Sequence, residues 1–122
     1  MHVLRNMLSG VKPGGIVLDL QVIRPNPAVE TNGEKLSEID GEPLFALADA
    51  AAAAVDAAVA SGQLLEEAVD DHDVRKHYPS GADLVDDFTT KKRRVLDEAR
   101  VRAAAGPCTT RERCRLRRLR VV

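Results

Sequence analysis

A turn-forming segment that leads straight into an apolar strand constrains this chain more than any other feature. Residues 2–9 carry apolar side chains at helical spacing, and Gly10 is a natural helix stop. Pro13 cannot continue a helix, and Gly14-Gly15 permits a tight turn. Six of the eight residues from Ile16 to Ile23 are then apolar, which is typical of a strand buried on both faces. The segment therefore predicts a helix, a tight turn and a central strand. An ordinary connection between a helix and a strand in any α/β protein has the same pattern.

The middle of the chain alternates turns with helical and extended patterns. Asn32-Gly33, within residues 28–40, predicts a short hairpin because both residues readily adopt positive φ. An extended strand is predicted over Leu64–Tyr78. Between them an alanine-rich helix is predicted over Leu44–Ser61. The apolar face of that helix comprises Leu44, Leu47, Ala51, Val55 and Val59.

The last third of the chain predicts two helices and a strand. Ser80 is a good N-cap, with Asp83 three residues later. A second helix is predicted over Lys91–Ala105, ended by Gly106-Pro107. The final residues alternate apolar and charged side chains, and a β-bulge would explain the change of register at Arg117-Arg118. The fold class is therefore α/β, with about three main strands, flanking helices and a small hairpin.

Length and composition set the class of protein. A chain of 122 residues is long enough for one domain. No run of about 18 apolar residues is present, so no membrane-spanning helix is expected. Met1–Leu20 lacks the pattern of a signal peptide. Cys108 and Cys114, with no histidine nearby, are expected to be reduced thiols of a cytoplasmic protein rather than metal ligands.

Charge is divided unevenly along the sequence. Residues 1–90 contain 6 Lys and Arg against 16 Asp and Glu, whereas the basic helix–strand segment 91–122 contains 12 against 3. A basic tail of this kind can bind nucleic acid, or it can lie against the acidic part of its own chain. Aromatic residues make up only 2% of the sequence, and none is interleaved with the arginines to stack on bases. Composition therefore disfavours nucleic acid as a partner.

The stretch VLRNMLSGVKPGGIVLDLQ resembles the segment around the fifth strand of class I S-adenosylmethionine-dependent methyltransferases. Leu4-Arg5, Val11 and Lys12–Gly15 match that family's pattern, with Val11 in place of the usual leucine. The order that follows, a helix and then two terminal antiparallel strands, is similar as well. The resemblance implies that residues 1–122 form a single partial domain, the second half of a Rossmann-like methyltransferase fold, with residues 24–43 as a hairpin insertion.

The cofactor-binding half of that family has no counterpart in this sequence. The family binds its cofactor mainly through a glycine-rich loop after strand one, and no G-x-G pattern occurs here. The resemblance therefore implies S-adenosylmethionine as the cofactor but assigns no residue of this chain to bind it. A C-terminal fragment of this kind, from a split or truncated gene, is expected to be inactive alone.

Five polar residues are candidates for a substrate pocket under this resemblance, because ligands of such folds lie at the carboxyl ends of strands. Methyl transfer from a sulfonium is an in-line displacement, for which the protein supplies positioning and sometimes a base. Each candidate also has an ordinary structural interpretation, such as a bond to the backbone or the covering of a helix end. No catalytic residue is assigned. The candidates are Asp19, Gln21, Arg24, His77 and Tyr78.

Two further classes of function stay open. A non-catalytic module could associate with itself through an exposed sheet edge, because unpaired strand edges tend to pair. A small basic-tailed nucleic-acid binder is the third class. The partners expected from the sequence are therefore an N-terminal half supplied in trans or a second copy of the chain, and no membrane.

Overall fold

The computed structural model describes residues 10–122, and the predicted helix over residues 2–9 lies outside the described part. The described chain is mixed α/β, as predicted, with a five-stranded antiparallel sheet and three helices. Its elements in chain order are β1 (Ile16–Val22), β2 (Ala28–Thr31), β3 (Glu34–Glu38), α1 (Leu44–Ala60), β4 (Leu64–Tyr78), α2 (Gly81–Thr90), α3 (Glu98–Arg102) and β5 (Cys108–Val121).

The C-terminal strand organises the sheet. β5 pairs with β1 from Ile16↔Arg120 to Val22↔Cys114, and with β2 from Ala28↔Arg111 to Glu30↔Thr109. β3 follows β2, and β4 also pairs with β5. The hairpin strands β2 and β3 are thus part of the main sheet. The sheet has five strands, more than the three main strands that were predicted beside a small hairpin.

The prediction of a β-bulge at Arg117-Arg118 is wrong for the pairing of β5 with β1. The pairing of these two strands runs through both arginines without a shift of register. A register shift instead lies in the hairpin, between Val29 and Glu30. The change of alternation along β5 therefore occurs without a break in its backbone pairing with β1.

Two compact units divide the described chain, and β4 and β5 contribute to both. The β1 unit holds the segment ending at Ile23, with Pro43–His72 and Cys114–Val122. The hairpin unit holds Arg24–Glu42 and Asp73–Arg113. The β1 unit therefore contains β1 and α1, and the hairpin unit contains β2, β3, α2 and α3.

The core of the β1 unit joins α1 to one face of the sheet. Val17 is buried, whereas Leu18 and Leu20 on the opposite face are 60% and 56% exposed. The prediction that this strand is buried on both faces is therefore wrong for the described chain, because no described element packs on its second face. The core residues are Val17, Val55, Ala58, Leu64 and Leu119.

Helix α1 has nearly its predicted bounds but a different buried face. Val55 is buried as expected, but Leu47 is 64% exposed. Phe45, Ala48 and Ala58 take the inner positions instead. Alanine-rich helices have a weak apolar side, so the few large side chains do not mark the packed face reliably.

The hairpin unit confirms two local predictions. Asn32 and Gly33 have φ of 52° and 77°, as the tight turn between β2 and β3 requires. Ser80 caps α2 by accepting the Asp83 N–H at 3.2 Å. The core of this unit is formed by Val29, Ile39, Tyr78, Leu84, Val85, Phe88, Val95, Val101 and Cys108.

The long helix predicted over Lys91–Ala105 is wrong, since only Glu98–Arg102 is helical. Lys92 and Asp97 have positive φ, which interrupts any helix through them. Between these residues Val95 forms a β-bridge with Ile39, and the Leu96 N–H donates to the carbonyl oxygen of Glu38 at 2.9 Å. Pairing with the end of β3 thus overrides the helical spacing of the apolar residues.

Candidate functional site

The turn before β1 is held by the C-terminal strand. Gly14 has a φ of 84°, and its N–H donates to the carbonyl oxygen of Val121 at 2.7 Å. The Gly15 N–H donates to the Lys12 carbonyl at 2.8 Å, and Arg120 Nη1 donates to the Gly14 carbonyl at 2.8 Å. A Cβ on Gly15 would lie 2.5 Å from the Val11 side chain. The Lys12–Gly15 segment therefore needs its glycines to enter β1 at this angle.

Asp19 and Gln21 lie side by side on β1. Gln21 Nε2 donates to Asp19 Oδ1 at 3.0 Å. The second oxygen, Asp19 Oδ2, is buried and accepts no hydrogen bond from residues 10–122. A buried carboxylate oxygen without a hydrogen bond costs free energy, so a hydrogen-bond donor placed beside Asp19 Oδ2 would be stabilising.

Arg24 lies in the hairpin unit, where it makes a long ion pair with Glu42 at 3.8 Å. Both side chains are more than half exposed. Arg24 is therefore a surface residue. An exposed ion pair of this length contributes little to stability.

His77 and Tyr78 end β4 and make separate interactions. His77 is exposed, with Nδ1 at 2.9 Å from Thr109 Oγ1 on β5. Tyr78 is buried and donates its hydroxyl to Asp87 Oδ2 at 2.5 Å. Adjacent residues of a strand point to opposite faces, so the two side chains do not form one site.

Asp87 is the most strongly perturbed acid of the hairpin unit. Besides Tyr78, Lys91 Nζ lies at 2.9 Å and Lys76 Nζ at 3.3 Å from the same carboxylate oxygen. The hydrogen bond from Tyr78, followed by that from Lys91, holds the pKa of Asp87 well below its ordinary value. Burial, followed by the hydrogen bond to Asp87, raises the pKa of Tyr78 above its usual range. Tyr78 is therefore held in its protonated form and is not poised as a base.

One cavity of the hairpin unit has a volume of about 240 Å³. Its charged groups are paired: Lys35 Nζ lies 2.7 Å from Glu38, and Arg113 Nη1 lies 3.2 Å from Asp73. The hydrogen bond from Lys35 lowers the pKa of Glu38, and the one from Arg113 lowers the pKa of Asp73. Neither carboxyl group has a pKa raised toward neutral pH. The cavity therefore offers groups that can position a ligand rather than a general base.

Sequence reasoning did not identify the residues that line this cavity. The polar ones are Asn26, Lys35, Glu38, Asp73, Arg111 and Arg113. One sequence feature does point to some of them. β4 is rich in acidic residues and β5 is rich in arginine, so pairing of the two strands brings opposite charges together. A smaller cavity of about 120 Å³ in the same unit has Tyr78 in its wall.

All six arginines of β5 form ion pairs with acidic residues of their own chain. We call this set the arginine ladder. Arg117 is the most buried member, 11% exposed, and contacts both Asp56 at 2.9 Å and Glu66. The basic tail therefore lies against the acidic part of the chain, one of the two arrangements that its charge allows. The pairs are Arg111 with Glu30 and Asp73, Arg113 with Asp73, Arg115 with Asp71, Arg117 with Asp56 and Glu66, and Arg118 and Arg120 with Glu67.

Residues 10–122 show neither a metal-binding cluster nor a membrane-spanning helix. No three His, Cys, Asp or Glu side chains there are grouped so that they could hold a metal ion. No helix in this part of the chain has the length and apolar character needed to cross a bilayer. Cys108 and Cys114 are both buried and carry free thiols.

The two cavities described above do not fit S-adenosylmethionine. Binding sites for ligands of that size have volumes of roughly 300 Å³ or more and mostly apolar linings. The larger cavity, at about 240 Å³, is lined by paired charges, and the smaller one is half that size. Comparisons with protein-family models, curated proteins and solved structures found no match to this chain.

Proposed function

We propose that this chain is the C-terminal half of a class I S-adenosylmethionine-dependent methyltransferase. It is inactive alone and works with a polypeptide that supplies the glycine-rich half. The observation that carries the proposal is the Lys12–Gly15 turn, which leads into β1 and is followed by α1 and the antiparallel pair β4 and β5. The order of these elements agrees with the second half of that fold.

Under this proposal the two halves have different tasks. When bound, the cofactor supplies an electrophilic methyl group; this chain would supply groups that orient the acceptor. In the hairpin unit, the cavity of about 240 Å³ offers Asn26, Lys35 and Arg111 for that purpose. Its paired charges suit a small polar acceptor with both donors and acceptors.

Calorimetric titration with S-adenosylmethionine tests the proposal. The chain would be titrated alone, and again after mixing with the polypeptide encoded directly upstream of it. That polypeptide alone is the control. Binding only by the mixture supports the proposal. Binding by this chain alone means that its cofactor site differs from the family's, and absence of binding in every sample refutes the methyltransferase assignment.

A self-associating, non-catalytic module is the second candidate. The observation that favours it is the exposure of Leu18, Leu20 and Leu65, which leaves apolar surface uncovered. The arginine ladder disfavours nucleic acid as the partner, because its guanidinium groups are already paired with carboxylates. A concentration series in sedimentation equilibrium separates a dimer from a monomer.

A further inference from the structure

One edge of β1 is free within the described chain. The Val121 N–H donates to the Gly15 carbonyl at 2.9 Å, which turns the backbone of Gly15 toward β5. Backbone groups alternate in direction along an antiparallel strand, so Leu18 and Leu20 direct their N–H and C=O groups away from β5. Among residues 10–122, no strand pairs with β1 on that side. An unpaired edge of this kind is a template for strand addition.

The face that carries Leu18 and Leu20 presents exposed apolar side chains beside the free edge. Leu20 lies opposite Leu116 of β5, so these two side chains share the face. Leu65 of β4, 55% exposed, lies on the same side as Glu67, which pairs with Arg118 opposite Leu18. A strand added along β1 would place its own apolar side chains beside Leu18 and Leu20 and extend this row.

The other face beside the free edge carries the carboxylate of Asp19. Asp19 lies opposite Arg117, but that guanidinium group is already bound to Asp56 and Glu66. Asp19 Oδ2 is buried and accepts no hydrogen bond from the described residues. An incoming strand with a cationic side chain beside Asp19 would meet this demand.

The same charge argues against pairing with a second copy. β1 has seven residues, Ile16–Val22, and Asp19 is the central one. The antiparallel register that overlaps all seven residues therefore places Asp19 directly opposite Asp19 of the other copy. Like charges in that position are destabilising.

We propose that the free edge of β1 is a docking site for an apolar strand from a separate polypeptide, and that this strand carries a lysine or arginine beside Asp19. The proposal goes beyond methyl transfer, because it follows from the edge, the leucines and the unpaired carboxylate oxygen. It holds for any partner with that chemistry.

A synthetic strand peptide tests this proposal with the full chain. The probe is a fluorescein-labelled peptide that matches β1 in length, alternates valine with threonine, and has one central lysine. The control peptide has glutamate in place of the lysine. We expect fluorescence anisotropy to show binding of the lysine peptide, with an affinity about fivefold or more above that of the glutamate peptide. We expect Asp19→Asn to abolish most of that preference, while circular dichroism confirms that this variant is folded.

Residue-resolved hydrogen exchange by NMR shows where the peptide lies. Bound peptide is expected to slow exchange of the Leu18 and Leu20 amides, and to leave those of Val17 and Asp19, which already face β5, unchanged. Failure of the lysine peptide to bind overturns the proposal. So does equal binding of both peptides, or a dimer of the chain in which the Leu18 and Leu20 amides are protected without peptide. None of these readouts depends on S-adenosylmethionine, so this proposal and the methyltransferase assignment can fail separately.

Discussion

Gly81 marks the closest approach between two backbone segments of the hairpin unit. Its N–H donates to the Ala104 carbonyl at 2.9 Å, and a Cβ at this position would lie 1.7 Å from the carbonyl oxygen of Val101. Backbone cannot yield as the end of a flexible side chain can. The start of α2 therefore packs on the end of α3 only because residue 81 has no side chain.

We expect Gly81→Ala to lower the free energy of unfolding by about 1–3 kcal/mol, since the added methyl group forces the two segments apart. Urea unfolding followed by circular dichroism measures the change. Gly106→Ala is the matched control, because a Cβ there meets no atom within 4 Å. A Gly81→Ala protein as stable as the control would contradict the close approach.

Asp87 links the stability of the hairpin unit to pH. Its pKa in the folded chain lies below the ordinary value of 3.8, chiefly because Tyr78 and Lys91 donate to it. A lowered folded-state pKa contributes stability that is fully present above the unfolded-state pKa and is lost as the pH falls through the folded-state pKa. The contribution is therefore present at neutral pH and disappears in acid, below about pH 4.

We expect Asp87→Asn to be less stable than the unaltered chain at neutral pH, and the difference to shrink as the pH falls below about 4. The measurement is the free energy of unfolding in urea across a pH series. Asp83→Asn serves as a comparison, since Asp83 lies in the same helix and its carboxylate accepts from Ser80. A difference between Asp87→Asn and the unaltered chain that stays constant down to pH 2 or so would show that Asp87 is not the group being titrated.

At the scale of single elements, β5 connects the acidic and basic parts of the chain. Arg117 is 11% exposed and holds Asp56 of α1 as well as Glu66 of β4, with Nε at 2.6 Å from Glu66. Arg118, the next residue, is 51% exposed and contacts Glu67 at 3.1 Å. Two adjacent arginines thus differ in burial while sharing one strand.

We expect Arg117→Met to lower the free energy of unfolding by about 2 kcal/mol, because it leaves the partly covered carboxylate of Glu66, and the exposed one of Asp56, without their cation. Arg118→Met is expected to change it by less than about 1 kcal/mol, as exposed pairs contribute little. Thermal unfolding of both variants under the same conditions gives the comparison. Equal losses for the two would show that burial does not set the strength of these pairs.

The elements that the sequence predicted well are those whose signal is local. The Asn32-Gly33 turn and the Ser80 cap depend on backbone conformation and a nearby side chain, both encoded within a few residues. Helical spacing over Lys91–Ala105 was misleading because Val95 pairs with Ile39, far away in sequence. Pairing over that distance carries no local signature.

The candidate site was less predictable than the fold, for a physical reason. Residues at strand ends could be identified as candidates, but only the pairing of strands decides which side chains meet. Asp19 and Gln21 do meet, and Tyr78 instead bonds to Asp87 of α2. The cavity that contains Lys35 and Arg113 takes its lining from β2, β3, β4 and β5, whose arrangement no spacing in the sequence reveals.

At the scale of the whole molecule, the apolar residues fall into two groups that contribute unequally to the free energy of folding. Leu119 is fully buried in the core of the β1 unit, whereas Leu18, Leu20 and Leu65 are each more than half exposed. Burial of apolar area, not apolar character, determines what a leucine contributes to folding. Three leucines of this chain therefore do little for its own stability.

We expect the triple variant Leu18→Thr, Leu20→Thr and Leu65→Thr to unfold within about 1 kcal/mol of the unaltered chain, since threonine is well accommodated in strands. Leu119→Ala is expected to lose about 2–5 kcal/mol through the cavity that it creates. Urea unfolding measures both, and light scattering should show less aggregation for the triple variant. A loss in the triple variant as large as that of Leu119→Ala would mean that the chain itself covers this face. The leucines would then be part of its own core rather than surface left for a partner.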